Sequence, residues 1–383
     1  MTILLPVASG QFENYVLLGD PRQPVTIKNQ ASRVIFSAAH VVADPKRSQD
    51  PSGLETLDWE ATLAFRRHLA GLGLGIAEAM DTAQRGMGLD WNGALELIRQ
   101  TKIELPDALV MNGAGTDHLM SQDAASLDDV IRAYVEQVEA IQSLGGGLII
   151  MASRALARIA RGPEDYATVY NRVLDACDTP VILHWLGEMF DPALAGYWSG
   201  GDFDGALEVA LGIIEANVGK VDGIKISLLD KDKEIVMRRR LPDSVKMYTG
   251  DDFNYPELMA GDSKGFSHAL LGIFDPLAVA IGGAMAALDR GDKEGFRAVL
   301  DPTVPLSRRI FSAPTQYYKT GVVFLAWLNG HQEHFIMLNG AQAMRPLAYF
   351  ADIFRLADQT GLLQDPDLAT VRMKTLLGLY GVA

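Results

Sequence analysis

One basic side chain sits where a strand would bury it. The segment Val221-Asp-Gly-Ile-Lys-Ile-Ser-Leu228 is a short apolar run with Lys225 at its centre. Side chains of a strand alternate between two faces, so Ile224 and Ile226 share one while Gly223, Lys225 and Ser227 share the other. If the isoleucines pack under helices, the lysine points inward. Charging an amine there is costly, so its pKa falls and the neutral form becomes a nucleophile. Such an amine attacks a carbonyl carbon and forms a Schiff base.

A lysine of this kind needs a scaffold that holds it still. Strand-like runs fall at Arg33–Ser37, Gly75–Met80, Ala108–Asn112, Gly147–Ala152, Pro180–His184, Gly223–Ser227, Val245–Thr249 and Gly265–Ala269. Helix-length segments lie between them, at Asp58–Leu72, Asn92–Thr101, Leu127–Leu144, Pro163–Ala176 and Asp204–Ala216. Regular alternation of this kind predicts a parallel sheet with helical crossovers, and eight units predict a (β/α)8 TIM barrel over residues 31–275. Residues 1–30 read as an N-terminal extension, able to form a hairpin at the bottom of the barrel. Residues 276–383 read as a helical C-terminal region, with helices over Leu277–Asp289, Lys293–Leu300, Gln316–Leu328 and Pro346–Thr360.

Barrel enzymes build their sites at the C-terminal ends of the strands. Those ends supply His40, Glu78, Asp81, Thr82, Gln84, Arg85, Asn112, Asp117, His118, Ser153, Arg154, His184, Lys225, Asp251, Asp252 and His268, including four of the chain's seven histidines. Lys225 reads as the nucleophile, and His184 and His118 as general bases near neutral pH. His40, Glu78, Asp81, Thr82, Asn112, Ser153, Asp251 and His268 read as substrate contacts. Arg85 reads as a planar fork for a carboxylate or phosphate.

Composition narrows the partners. The chain has 383 residues, 48% hydrophobic and 21% charged, with a net charge of -14. The acidic balance argues against nucleic acid and against anionic membrane surfaces. No apolar stretch reaches the roughly 18 residues of a membrane span. The first residues, MTILLPVASGQFENY, lack the basic start and apolar length of an export signal, and Cys177 has no second cysteine to pair with. The expectation is a cytoplasmic protein acting on a small molecule.

The strand carrying Lys225 resembles the Gly-Ile-Lys strand of the dihydrodipicolinate synthase and N-acetylneuraminate lyase superfamily of class I aldolases. Tyr248-Thr-Gly-Asp-Asp252 is similar to that family's Ser-Gly-Asp-Asp segment, Thr179-Pro-Val-Ile-Leu-His184 to its Pro-Val-Ile-Leu-Tyr-Asn strand, and Gly265-Phe-Ser-His-Ala to its last strand. The resemblance covers most of residues 31–360 and points to a divergent, uncharacterised branch. It implies a Schiff-base carbon–carbon lyase or dehydratase without a cofactor, and the polar, hydroxyl-binding rim points to a sugar-derived ketone or 2-oxo acid as its substrate. It also implies a homo-oligomer, dimer or tetramer. Two features depart from the family. Its Thr-Thr-Gly-Glu loop is replaced by Asp81-Thr-Ala-Gln-Arg-Gly86, and no tyrosine follows the strand that ends in Ile150-Met-Ala-Ser-Arg154.

Two alternatives share the barrel. Glu78, Asp81, His118, His184, His40 and His268 could instead hold a divalent metal for a lyase or isomerase. The barrel could also be a non-catalytic sugar-binding protein. Other features read as structural. His331-Gln-Glu-His334 lacks a compact metal motif, Arg238-Arg-Arg240 reads as a solvated helix face, and Tyr317-Tyr318 and Trp327 read as core or subunit interface.

Overall fold

The computed structural model describes residues 1–7, 10–27, 31–46, 57–199 and 201–382. β1 (Thr2–Pro6) and β2 (Phe12–Val16) form an antiparallel hairpin. Eight further strands follow: β3 (Ile35–Ala38), β4 (Gly75–Glu78), β5 (Val110–Ala114), β6 (Gly147–Ile150), β7 (Val181–Leu186), β8 (Val221–Ser227), β9 (Lys246–Thr249) and β10 (His268–Leu271). They close a barrel in which β10 pairs with β3. Every neighbouring pair in it is parallel. The expected (β/α)8 barrel with a helical C-terminal region is the observed fold.

Parallel strands need helical crossovers, and the sequence starts those helices with capping side chains. Asp58 accepts from Ala61 N before Trp59–Gly71, and Asp90 from Gly93 N before Trp91–Glu104. Ser126 and Asp129 form a capping box at Leu127–Ser143, and Asp202 caps Phe203–Ala216.

The strands have two packed faces. Outward residues such as Ile76, Leu148, Val181, Ile224 and Ile226 join the large core under the helices. Inward residues Phe36, Ala38, Ala77, Ile149, Ile182, Tyr248 and Leu270 form a separate cluster that fills the lumen, so the barrel is plugged by side chains.

The C-terminal region runs through Ala278–Leu288, Lys293–Leu300, Val304–Ile310, Tyr318–Leu328, Leu347–Gln359 and Pro366–Leu379. Every residue of Tyr318–Leu328 is buried, as expected of a helix that is apolar all round. The hairpin forms as anticipated, but what holds it is this tail. Tyr15 Oη donates to the Asp358 carboxylate at 2.7 Å, Leu18 N donates to it at 2.8 Å, and Arg355 pairs with Glu13 at 2.9 Å. Arg22 Nε then donates to the Thr360 carbonyl at 2.6 Å. Among the described residues, no helix is long and apolar enough to cross a membrane.

Candidate active site

Lys225 lies on β8 with its side chain in the lumen. Gly250 makes room beneath it: a Cβ there would come within 2.9 Å of Lys225 Cε and 2.2 Å of Ser227 Oγ. A recess about one water molecule in size surrounds the amine. Its walls are Ala38, Met80, Asp81, Thr82, Leu186, Phe190, Ser227, Asp252, Gly272 and Tyr318. Burial lowers the Lys225 pKa, against the opposing pull of Asp81 and Asp252. Burial likewise raises the Asp252 carboxyl to about 7, and the neighbouring Lys225 limits the rise. An amine and a carboxyl that both titrate nearer neutrality than usual therefore share one small chamber.

A cleft of about 580 Å³ adjoins the recess, and Asp81 and Leu186 line both. Its wall also includes Arg85, Thr116, Asp117, Met151, Arg154, His184 and Asp191. His184 is the register partner of Lys225 on β7. Its Nε2 lies 3.2 Å from Ser227 Oγ, while the buried Nδ1 has no partner among the described residues. Burial, reinforced by the Lys225 charge, holds the His184 pKa well below the usual histidine range. His184 is thus a neutral hydrogen-bonding group and a weak base, which corrects its expected role as a base near neutral pH. Arg154 is anchored through Nε to Asp191 at 2.5 Å and is half exposed.

Several other expected contacts lie elsewhere. Glu78 points outward into a buried ion pair with Arg66 at 2.8 Å and accepts from Thr101 Oγ1 at 2.7 Å. Asn112 also points outward, donating to the Gly147 carbonyl at 3.0 Å among residues of the helix layer. His40 is fully buried, with Nδ1 2.8 Å from Asp275 and its ring against Phe65. His268 begins β10 at the far end of the lumen, where Nδ1 accepts from Val34 N at 2.8 Å. His118 contacts Glu136 at 3.3 Å and Gln137 at 2.8 Å, and lines neither the recess nor the cleft. Ser153 caps Arg154–Ile159 and bonds Thr116 at 2.6 Å. Asp251 is consumed by Phe253 N, Asn254 N and Asn254 Nδ2.

Arg85 reaches the cleft wall with its donors committed. Nε and Nη2 grip Asp117 at 2.9 and 2.6 Å, Nη2 also meets Gln137 at 2.7 Å, and Nη1 donates to the carbonyls of Gly113 and Ala79. A guanidinium has five N–H donors, and these contacts use all five. The expected anion fork is therefore a structural clamp. The six residues considered as metal ligands do not converge, and no group of three or more His, Cys, Asp or Glu side chains among the described residues is placed to share an ion.

A family model described as a protein of unknown function, DUF993, matches residues 3–382. The chain belongs to that family. No curated protein matches the DUF993 chain. Solved structures share its fold. A dihydrodipicolinate synthase from Aquifex aeolicus is 12% identical, with 91% of this chain and 98% of that one covered at a TM-score of 0.60. YagE, a prophage protein of the dihydrodipicolinic acid synthase family from Escherichia coli in complex with pyruvate, is 13% identical, covering 92% and 99% at 0.63. A chloride-inhibited dihydrodipicolinate synthase from Acinetobacter baumannii, complexed with pyruvate, is 15% identical, covering 87% and 100% at 0.62.

The DUF993 site includes residues to which the sequence reading gave no role in the chemistry. Asp252, not Asp251, faces Lys225's chamber, and strand alternation carries the signal: Tyr248, Gly250 and Asp252 continue one face. Tyr318 reaches the recess from the tail, and no local pattern announces it. Its neighbour Lys319 is buried too, and burial lowers its amine to about 8 despite the pull of Asp81 and Asp191.

Proposed function

We propose that this protein is a Schiff-base-forming carbon–carbon lyase or dehydratase acting on a sugar-derived ketone or a 2-oxo acid. The observation that carries the reading is the enclosed chamber in which Lys225, with a lowered pKa, meets Asp252, with a raised one. The pyruvate complexes of proteins with this fold support a carbonyl substrate.

Lys225 Nζ attacks the carbonyl carbon, forming a C–N bond as the C=O π bond breaks. The resulting carbinolamine loses its hydroxyl as water when protonated Asp252 donates to the departing oxygen. The Asp252 carboxylate then balances the iminium charge. The iminium accepts the electron pair of an adjacent C–C or C–H bond, which allows cleavage or proton loss. His184 and Thr116 offer neutral hydrogen bonds to hydroxyls along the cleft, and Arg154 offers the cleft a cation. The assembly in this reading is a homo-oligomer in the cytoplasm.

Borohydride trapping tests the proposal. The protein is incubated with a panel of 2-oxo acids and keto-sugars, reduced, and mapped by mass spectrometry. An adduct on the Lys225 peptide, absent in Lys225→Met, supports the reading. Turnover of a carbonyl substrate that survives in Lys225→Met would overturn it.

A further inference from the structure

The C-terminal tail enters the barrel mouth at one point. Tyr318 opens the helix Tyr318–Leu328, and its hydroxyl lies 2.8 Å from Thr82 Oγ1. Both residues line the recess that holds Lys225. The phenol is fixed on several sides. Its ring stacks on Phe311 at 4.3 Å and 14°, and meets the edge of Phe190 at 6.0 Å and 86°. Lys319 Nζ lies 4.6 Å from the ring centroid. Gly272 permits this approach: a Cβ there would stand 3.1 Å from Tyr318 Cε2 and 3.3 Å from Thr82 Oγ1. A buried phenol in an apolar barrel normally needs one partner, and Thr82 is enough for that. What calls for explanation is the location, since the hydroxyl pair borders the recess that holds Lys225.

Resting on the Lys225 reading above, we propose that Tyr318 is a catalytic residue that donates a proton to the substrate carbonyl oxygen, with Thr82 returning one to it. As Nζ bonds to carbon, the carbonyl electron pair moves to oxygen. Tyr318 Oη gives that oxygen its proton. The attacking nitrogen, now carrying an extra proton, releases it to Thr82 Oγ1, whose own proton passes to Tyr318. The carbinolamine is neutral, both side chains are restored, and no outside acid is consumed. Burial, with the charges of Asp81, Asp252 and Asp275, keeps the phenol protonated and able to donate. The acid of the addition step therefore comes from the helical tail of the same chain, while Asp252 of the barrel serves the later loss of water.

A catalyst changes the rate of imine formation and not its equilibrium, and that difference separates catalysis from support. The probes are pyruvate, hydroxypyruvate and dihydroxyacetone, each trapped with borohydride after short and long incubations. Tyr318→Phe keeps the ring and its stacking. It is expected to slow adduct formation about 100-fold or more, within the range of general acid catalysis. The adduct fraction at long times and the melting temperature stay near those of the unaltered protein. Thr82→Val should slow the reaction in the same way, and Thr82→Ser should restore it. Tyr318→Phe reacting at the original rate would overturn the proposal. So would a loss of rate and final adduct together with a collapsed melting temperature, since that marks a structural residue. If the unaltered protein gives no Lys225 adduct with any probe, the Lys225 reading falls and this one with it. An adduct that forms at full speed without Tyr318 removes this one alone.

Discussion

Lys225 and His184 stand in register on neighbouring parallel strands, and the lysine's charge is the second cause, after burial, of the neutral imidazole. Lys225→Met removes that charge and the nucleophile together. Adduct formation should vanish, by at least about 1000-fold. The His184 pKa should rise, seen as a shift in its imidazole NMR titration. The melting temperature should hold or increase, because an apolar chain replaces an amine that burial disfavours.

Arg66→Met should act on stability. It leaves Glu78 charged in a site where both partners are fully enclosed. Breaking such a pair costs about 3–5 kcal/mol, against near zero for an exposed one. Denaturant unfolding should show that loss, while the folded fraction keeps its Lys225 adduct yield.

The two arginines of the cleft should separate cleanly. Arg85→Lys cannot reproduce a five-donor clamp, so it should lower the melting temperature and leave probe affinity nearly constant. Arg154→Ala should do the reverse. Its loss should raise the pyruvate concentration needed for half-maximal trapping severalfold and barely move stability.

Two buried acids give the fold a defined pH response. Burial raises Glu234 from 4.5 to about 8 and Asp252 from 3.8 to about 7. In both, the folded state holds a proton that the unfolded chain has released. Their contribution is complete below about pH 4 and is lost as pH rises through about 7 and then about 8. Thermal melts between pH 5 and pH 9 should fall by several degrees from these groups, and Glu234→Gln should flatten much of the decline.

Gly250→Ala should be among the most damaging small substitutions. Its methyl would meet Ser227 Oγ at 2.2 Å and the backbone oxygen of Ile226 at 2.6 Å. The strand must shift under Lys225. A fall in trapping rate of at least about 10-fold is expected where the protein still folds.

The barrel was legible because its signals are local and repeated. Apolar runs marked all eight strands to within a few residues, and helix-length segments marked the first five crossovers, while the short helices Lys231–Arg238 and Tyr255–Ala260 went unread as crossovers. The inward aim of Lys225 followed from alternation. Applied as strictly elsewhere, the same rule sends Glu78 and Asn112 outward beside the inward Ala77, Met111 and Gly113, and favours Asp252 over Asp251. Depth was the second gap: alternation gives His268 a face but not the end of the lumen it occupies. Arg85, His118 and His40 illustrate the third. Their types suit chemistry, but partners distant in sequence, such as Gln137 and Asp275, had already engaged them. Tyr318 shows the converse, since an apolar helix in the tail gives no local sign that its first residue reaches the barrel.

The hairpin clasp on the tail has a bearing on how the protein is made. Tyr15 and Asp358 are 343 positions apart, so the hairpin waits for a segment made 343 residues later. Contacts of that span are slow to form, because their loop must close before they return any energy. A ribosome-bound chain could complete β3 through β10 and present Lys225 before Tyr318 is tied in place. The nascent chain would then hold Lys225 beside Asp252 before the tail brings in Tyr318, and the clasp between hairpin and tail would close last.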